Sequence, residues 1–161
     1  MRAVIGIGAN LGDRLATMRE AAAAIARIPD TTVLAASSVY ETAPVGGVPQ
    51  GDFYNAAMAV ECTLSPVALL EALLGIERGL GRNRSTGDVR WGPRTIDLDV
   101  LWIEGVVLDD PRLVVPHPRL TERAFALVPL LEVAPHAVDS RTGTPFVAPE
   151  TGDVRRTTFT F

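Results

Sequence analysis

RWGPRTIDLDVLW, residues 90–102, carries a contradiction. In its second half Ile96, Leu98 and Val100 alternate with Asp97 and Asp99. The strand period of two sends the apolar set to one face and both carboxylates to the other. Strands are poor in Asp, and like charges side by side repel, so the pattern needs a reason. Two solvated carboxylates on the open face of a half-buried sheet are one reason; a bound cation is the other. Hard oxygen ligands with room for water suit Mg²⁺, which is held by one or two carboxylates plus substrate phosphates.

Upstream of that strand the chain is basic. Arg82 and Arg84 alternate in GLGRNR, and Arg90 and Arg94 flank Trp91-Gly92-Pro93. Surface arginines are commonly just solvated. Here, however, they run directly into the carboxylate strand, and guanidinium forks match phosphate oxygens bidentately. Acidic and basic groups converging in this way read as a metal-polyphosphate site. The chain has 15 basic residues, all arginine, so any anion site must be built from guanidinium groups and backbone amides.

Flanking segments set the architecture. Ala3 to Gly8 reads as a buried strand, and Asp13 can cap a helix carrying Leu15, Met18, Ala22 and Ile25 on one stripe. Thr31 to Tyr40 reads as a second strand and Phe53 to Thr63 as a third, with a Gly/Pro-rich loop from Glu41 to Gly51 between them. Ser65-Pro66 starts a second helix that bears Leu69, Leu70, Leu73 and Ile76 and stops at Gly79 or Gly81. The Asp-bearing strand spans Thr95 to Ile103, and Thr121 can cap a short helical region holding Phe125, Leu127 and Leu130. After about Val138 the chain is polar and turn-rich. Strand, helix, strand, strand, helix, strand is the split pattern of ferredoxin-like α+β folds, with a mostly antiparallel sheet and helices packed on it.

Composition bounds the rest. The chain has 161 residues, 47% hydrophobic and 21% charged, which suits one globular domain with a real core. A net charge of −4 without a basic tail argues against phosphate gripping of nucleic acid as the main task. The lone Cys62 falls in an apolar run and reads as a buried structural thiol. The first apolar run is too short for a signal peptide, and nothing approaches a membrane span, so a cytoplasmic protein is expected. Gly6-Ile7-Gly8 hints at a dinucleotide fingerprint, but the next glycine is Gly12, one residue late, and the hint is discounted.

Four further residues stand out. Glu77 lies near the end of the second helix, where it could also be a carboxylate paired with an arginine. His117 lies between two prolines, which aim its backbone in one direction. Asn55, on the third strand, could be an edge residue or could read the donor-acceptor pattern of a flat heterocycle. Phe53, on the same face, could stack on such a ring, as could Trp91 and Phe125, though each aromatic alone is as readily core.

GANLGDR (8–14), SSVYETAPVG (37–46), FYNAA (53–57), IERGLGRNR (76–84), RWGPRTIDLD (90–99) and VPHPRLTERAF (115–125) together resemble the 6-hydroxymethyl-7,8-dihydropterin pyrophosphokinase family. The resemblance implies a ferredoxin-like α+β sandwich, usually monomeric. It also implies transfer of pyrophosphate from ATP to the pterin's hydroxymethyl oxygen, with release of AMP, in folate biosynthesis. By motif, Asp97 and Asp99 would hold two Mg²⁺, and Arg82, Arg84 and Arg94 would act on the phosphates. Glu77, Val100, Leu113, His117 and Arg123 would complete the ATP site. Thr42, Pro44, Val45, Phe53, Asn55 and Phe125 would form the pterin pocket, with Trp91 in a loop that closes on it. Leu74, Pro118 and a longer stretch between Arg84 and Trp91 depart from the pattern of some members. A regulatory nucleotide-binding module on the same fold is the rival reading, because fold does not fix function.

Overall fold

In the computed structural model, residues 1–44, 49–81, 95–150 and 153–161 are described. The elements run β1 (Arg2–Ala9), α1 (Arg14–Ile25), β2 (Thr31–Ala36), β3 (Tyr40–Thr42), β4 (Phe53–Cys62), α2 (Pro66–Gly79), β5 (Asp97–Ile103), β6 (Leu108–Asp110), β7 (Leu113–Val115), α3 (Ala124–Val133) and β8 (Val154–Arg156). The sheet has the order β5-β1-β4-β3-β8, with β2 also on β4, and β6 and β7 form a separate hairpin. Every ladder among the described residues is antiparallel. The order β5-β1-β4-β2 is that of the split β-α-β fold the sequence predicts.

Local chemistry explains the boundaries. The Asp13 side chain accepts the Ala16 N–H and starts α1; the Ser65 hydroxyl accepts the Ala68 N–H, with Pro66 following, and starts α2. These groups satisfy N–H donors that have no partner inside the helix. Gly81, at φ +87°, turns the chain away beyond the end of α2.

Three expectations are corrected. The strand read as Thr31 to Tyr40 breaks at Ser37–Val39. Ser37 N–H donates to the Ala57 carbonyl, and its hydroxyl accepts the Ala57 N–H, both at 2.9 Å, so a side chain replaces one rung of the ladder. Beyond the break, pairing resumes as β3, which takes Glu41 and Thr42 out of the expected loop. Thr121 does not cap α3. It sits inside a 3-10 turn (Leu120–Glu122), and no side chain caps the helix that follows.

Two apolar layers lie on opposite faces of the sheet. On one, Ile5, Ile7, Met58, Val60, Leu98 and Val100 pack against Met18 and Ile25 of α1 and Leu69 and Leu73 of α2. Cys62 is buried in this layer, as its setting predicts. On the other, Val4, Ala57, Ala59, Leu101 and Trp102 pack against Leu120, Leu127 and Leu130. A bulge feeds the second layer. The register passes from Ile5↔Val100 to Val4↔Trp102, so Leu101 is the extra residue of β5. The Trp102 indole N–H donates to the Val138 carbonyl at 2.7 Å and fixes the start of the C-terminal segment.

Helix α3 covers only part of its face. Beyond Val4 and Ala57 the strands carry Gly6, Gly8, Asn55, Asp97 and Asp99, and the surface there stays open. Leu73 is fully buried beneath the opposite face. Leu73→Ala is expected to destabilise the fold by about 2–5 kcal/mol in urea unfolding. A cost under about 1 kcal/mol would mean that α2 is not packed as described.

Candidate active site

Asp97 and Asp99 are the ends of two short rows across the sheet. Gly8 pairs with Asp97 on one side and Asn55 on the other; Gly6 pairs with Asp99 and Ala57. Each carboxylate is therefore separated from β4 by a residue without a side chain. A Cβ at Gly6 would meet Leu101 at 3.1 Å, and one at Gly8 would meet Asn55 Oδ1 at 3.1 Å. The glycines make a flat floor that any larger residue would fill.

A cleft opens over this floor. It is lined by Gly6, Gly8, Asn55, Asp97 and Asp99 from the sheet, Thr42, Ala43 and Phe53 from its far side, and Arg123, Phe125 and Ala126 from α3 and its approach. Asn55 is buried on a central strand, not an edge, and its Nδ2 donates to Thr42 Oγ1 at 2.7 Å. That bond fixes the amide and points Oδ1 over Gly8. Pro44 is half-buried one residue beyond Ala43.

A second cavity lies across the edge of β5. It is walled by Leu70 and Leu74 of α2, Leu98 and Val100 of β5, and the 111–118 segment, including Arg112, Leu113 and His117. Asp99 lines both cavities. Of the ATP-site residues expected from the sequence, Val100, Leu113 and His117 gather in this second cavity, and Arg123 stands in the first.

His117 is held from several sides. Its N–H donates to the Leu101 carbonyl at 2.8 Å, directly after the cis Val115–Pro116 peptide. Ring Nδ1 accepts the Arg119 backbone N–H at 3.2 Å, and Nε2 lies 3.5 Å from an Arg123 guanidinium nitrogen. Burial, and then the Arg123 charge, push its pKa down to about 4, so the ring is neutral near pH 7. His117 and Arg123 are thus held within reach of one another, one neutral ring beside one guanidinium.

Glu77 is buried, and its Oε1 accepts the Leu98 N–H at 2.7 Å. It lines neither cavity; it holds the outer edge of β5 between the two aspartates. The expected Val45, Arg82, Arg84, Trp91 and Arg94 lie outside the described residues. Sequence reasoning missed Arg112, which no periodicity marks, and the glycine floor. Gly6 and Gly8 were legible as strand-interior glycines, a sign of close approach, but drew notice only as a failed dinucleotide motif.

The family model of 7,8-dihydro-6-hydroxymethylpterin-pyrophosphokinase (HPPK) matches residues 4–135. Three 2-amino-4-hydroxy-6-hydroxymethyldihydropteridine pyrophosphokinases are similar. That of Methylorubrum extorquens is 48% identical over 85% of this chain and 85% of the relative. That of Bacillus subtilis is 45% identical over 81% and 77%. That of Pseudomonas aeruginosa is 42% identical over 83% and 81%. Among solved structures, a Plasmodium falciparum HPPK-DHPS variant with SDX-DHP superposes with a TM-score of 0.69 at 14% identity, over 96% of this chain and 48% of that one. The wild-type HPPK-DHPS with pteroate gives 0.67 at 16% identity, over 90% and 41%. The chain spans less than half of these longer proteins, and the likeness to them speaks to the fold alone. With more than three quarters of its length matched by the family model, the chain belongs to the 7,8-dihydro-6-hydroxymethylpterin-pyrophosphokinase family.

Proposed function

We infer that this chain transfers pyrophosphate from ATP to 6-hydroxymethyl-7,8-dihydropterin, giving the pterin diphosphate and AMP in folate biosynthesis, with each substrate in one of the two cavities. The observation that carries the assignment of sites is Asp99, which lines both. A group passing from one substrate to the other must cross there.

The glycine-floored cleft suits the pterin. Asn55 Oδ1 can accept a ring N–H, while Phe53 and Phe125 offer faces to a flat heterocycle. Thr42 fixes Asn55; Pro44, Val45 and Trp91 complete the proposed pocket. The second cavity suits ATP, with Leu113 and Val100 against the base and His117 beside the phosphates, while Arg123 would reach them from the first cavity. Glu77 serves this site indirectly, by holding β5. Arg82, Arg84 and Arg94 are proposed to reach the phosphates as well.

Asp97 and Asp99 are the proposed ligands of two Mg²⁺. The donor set fits. Among the described residues no group of three or more His, Cys, Asp or Glu stands ready to enclose a metal. Two carboxylates that leave the remaining positions to water and phosphate are what Mg²⁺ takes. When bound, Mg²⁺ neutralises polyphosphate charge and aligns it for displacement. In the reaction the hydroxymethyl oxygen forms a bond to the β-phosphorus and loses its proton, and the bond from that phosphorus to the α-β bridging oxygen breaks. AMP leaves with the bridging oxygen. Positioning and charge neutralisation do most of the work in such transfers.

The test is to incubate the purified protein with ATP, Mg²⁺ and 6-hydroxymethyl-7,8-dihydropterin and to separate the adenine nucleotides. AMP is expected in step with pterin consumption. ADP in its place would mean simple kinase chemistry. Nucleotide binding without turnover would favour the regulatory module.

Asp97→Ala is expected to lower turnover by ~10³-fold or more, and Arg84→Ala by far less. Equal small losses would overturn the metal assignment. For His117, NMR titration of the ring is expected to give a midpoint near 4. The unfolded chain takes up this proton near the ordinary 6.5, so stability should fall as pH drops from 6.5 towards 4. His117→Gln should flatten that slope, and a ring midpoint close to 6.5 would refute a buried, neutral His117.

A further inference from the structure

Between α3 and the sheet, at the end of the helix remote from the cleft, lies a second set of polar groups. Glu132 Oε2 accepts the Tyr40 hydroxyl at 2.7 Å and the Ser38 N–H at 3.1 Å. Its Oε1 accepts the Ser38 hydroxyl at 2.9 Å and an Arg156 N–H at 3.2 Å. Arg156 Nε also donates to the Ser38 hydroxyl at 2.8 Å. Burial alone would raise the Glu132 carboxyl, but the Tyr40 hydroxyl, the two Ser38 donors and Arg156 hold it below its ordinary value. Burial and the bond to Glu132 push the Tyr40 phenol up to about 12, so it remains a donor.

The cluster joins the walls of the pterin cleft. β3 holds Tyr40 and, two residues on, Thr42, which lines the cleft and fixes Asn55. α3 holds Glu132 and, about two turns earlier, Phe125 and Ala126, which line the opposite wall. One carboxylate therefore ties both walls together. Arg156 comes from β8, which pairs with β3 through Tyr40↔Arg156 and Thr42↔Val154. That strand lies beyond the 4–135 stretch of the family model. Arg155, its neighbour, bridges Glu41 at 3.6 Å and Asp52 at 2.9 Å on the same edge.

We propose that Glu132 is a positioning residue that sets the width of the pterin cleft, and that the C-terminal strand, through Arg156, is part of this device. The proposal rests on the cleft being the pterin site. Polar groups held on all sides fix a geometry that packing alone leaves looser. The second cavity is built from α2, β5 and the 111–118 segment, and none of its lining residues belongs to this cluster. The effect should therefore fall on the pterin and not on the nucleotide.

The experiment measures binding of fluorescent oxidised 6-hydroxymethylpterin, in the presence of a non-hydrolysable ATP analogue, to the full chain and to Glu132→Gln, Tyr40→Phe, Arg156→Ala and Arg156→Lys. The analogue's own affinity and the thermal midpoint are read in parallel. Pterin Kd is expected to rise about tenfold in the first three and to be largely restored in Arg156→Lys, with analogue Kd within about twofold throughout. Lower thermal midpoints with unchanged pterin Kd would make the cluster merely structural and overturn the proposal. Parallel losses of pterin and analogue affinity would overturn it too. If Glu132→Gln fails to fold, Tyr40→Phe and the solvent-facing Arg156→Ala decide the matter by the same criteria. A wild-type chain that binds no pterin would instead fell the functional reading, and this proposal with it.

Discussion

The hydrogen bond from Leu98 N–H to the buried Glu77 carboxylate is the contact on which the site depends. Among the described residues β5 ends the sheet, with no strand on its outer edge. An edge group left bare in the interior costs ~1–3 kcal/mol, and a strand so exposed frays. Glu77 reaches from the last turn of α2 and fills that need midway between Asp97 and Asp99. The two aspartates then project from a strand pinned on one edge by β1 and on the other by a side chain. Carboxylates on a frayed strand would wander by more than the proposed phosphoryl transfer tolerates.

The unequal cover of the sheet's two faces follows from residue size. Where β1 carries Ile5 and Ile7, two helices close over it; where it carries Gly6 and Gly8, a cleft remains among the described residues. The same eight-residue strand thus serves as core on one side and as cleft floor on the other. The bulge at Leu101 marks the boundary. Beyond it both faces of β5 are buried, and before it the second face is free for Asp97 and Asp99.

Much of this could be read locally. The alternation around Asp97 and Asp99 placed the carboxylates on one face, and the caps at Asp13 and Ser65 fixed two helix starts, because each depends on residues a few positions apart. What depended on distant partners was closed to sequence reasoning. Asn55 could not be told from an edge asparagine until Thr42, thirteen residues away, was found as its partner. The break at Ser37 needs Ala57, and the role of Glu132 needs Tyr40 and Arg156. At a helix end Glu77 reads equally as a carboxylate paired with an arginine, because its target, the Leu98 backbone amide, lies on another element and leaves no mark on composition.

Asp99 and the His117–Arg123 pair give the two cavities a common chemistry. A carboxylate at the junction repels phosphate oxygens unless a cation stands between them. The His117 ring and the Arg123 guanidinium stand 3.5 Å apart, and the guanidinium charge helps to keep the ring neutral. A metal-polyphosphate of the kind proposed would meet an acidic half and a basic half. Neutral His117 matters here, because an uncharged ring adds no second positive charge beside Arg123. On the proposed reading, the acidic strand would be least hospitable to a phosphate that arrives without its metal.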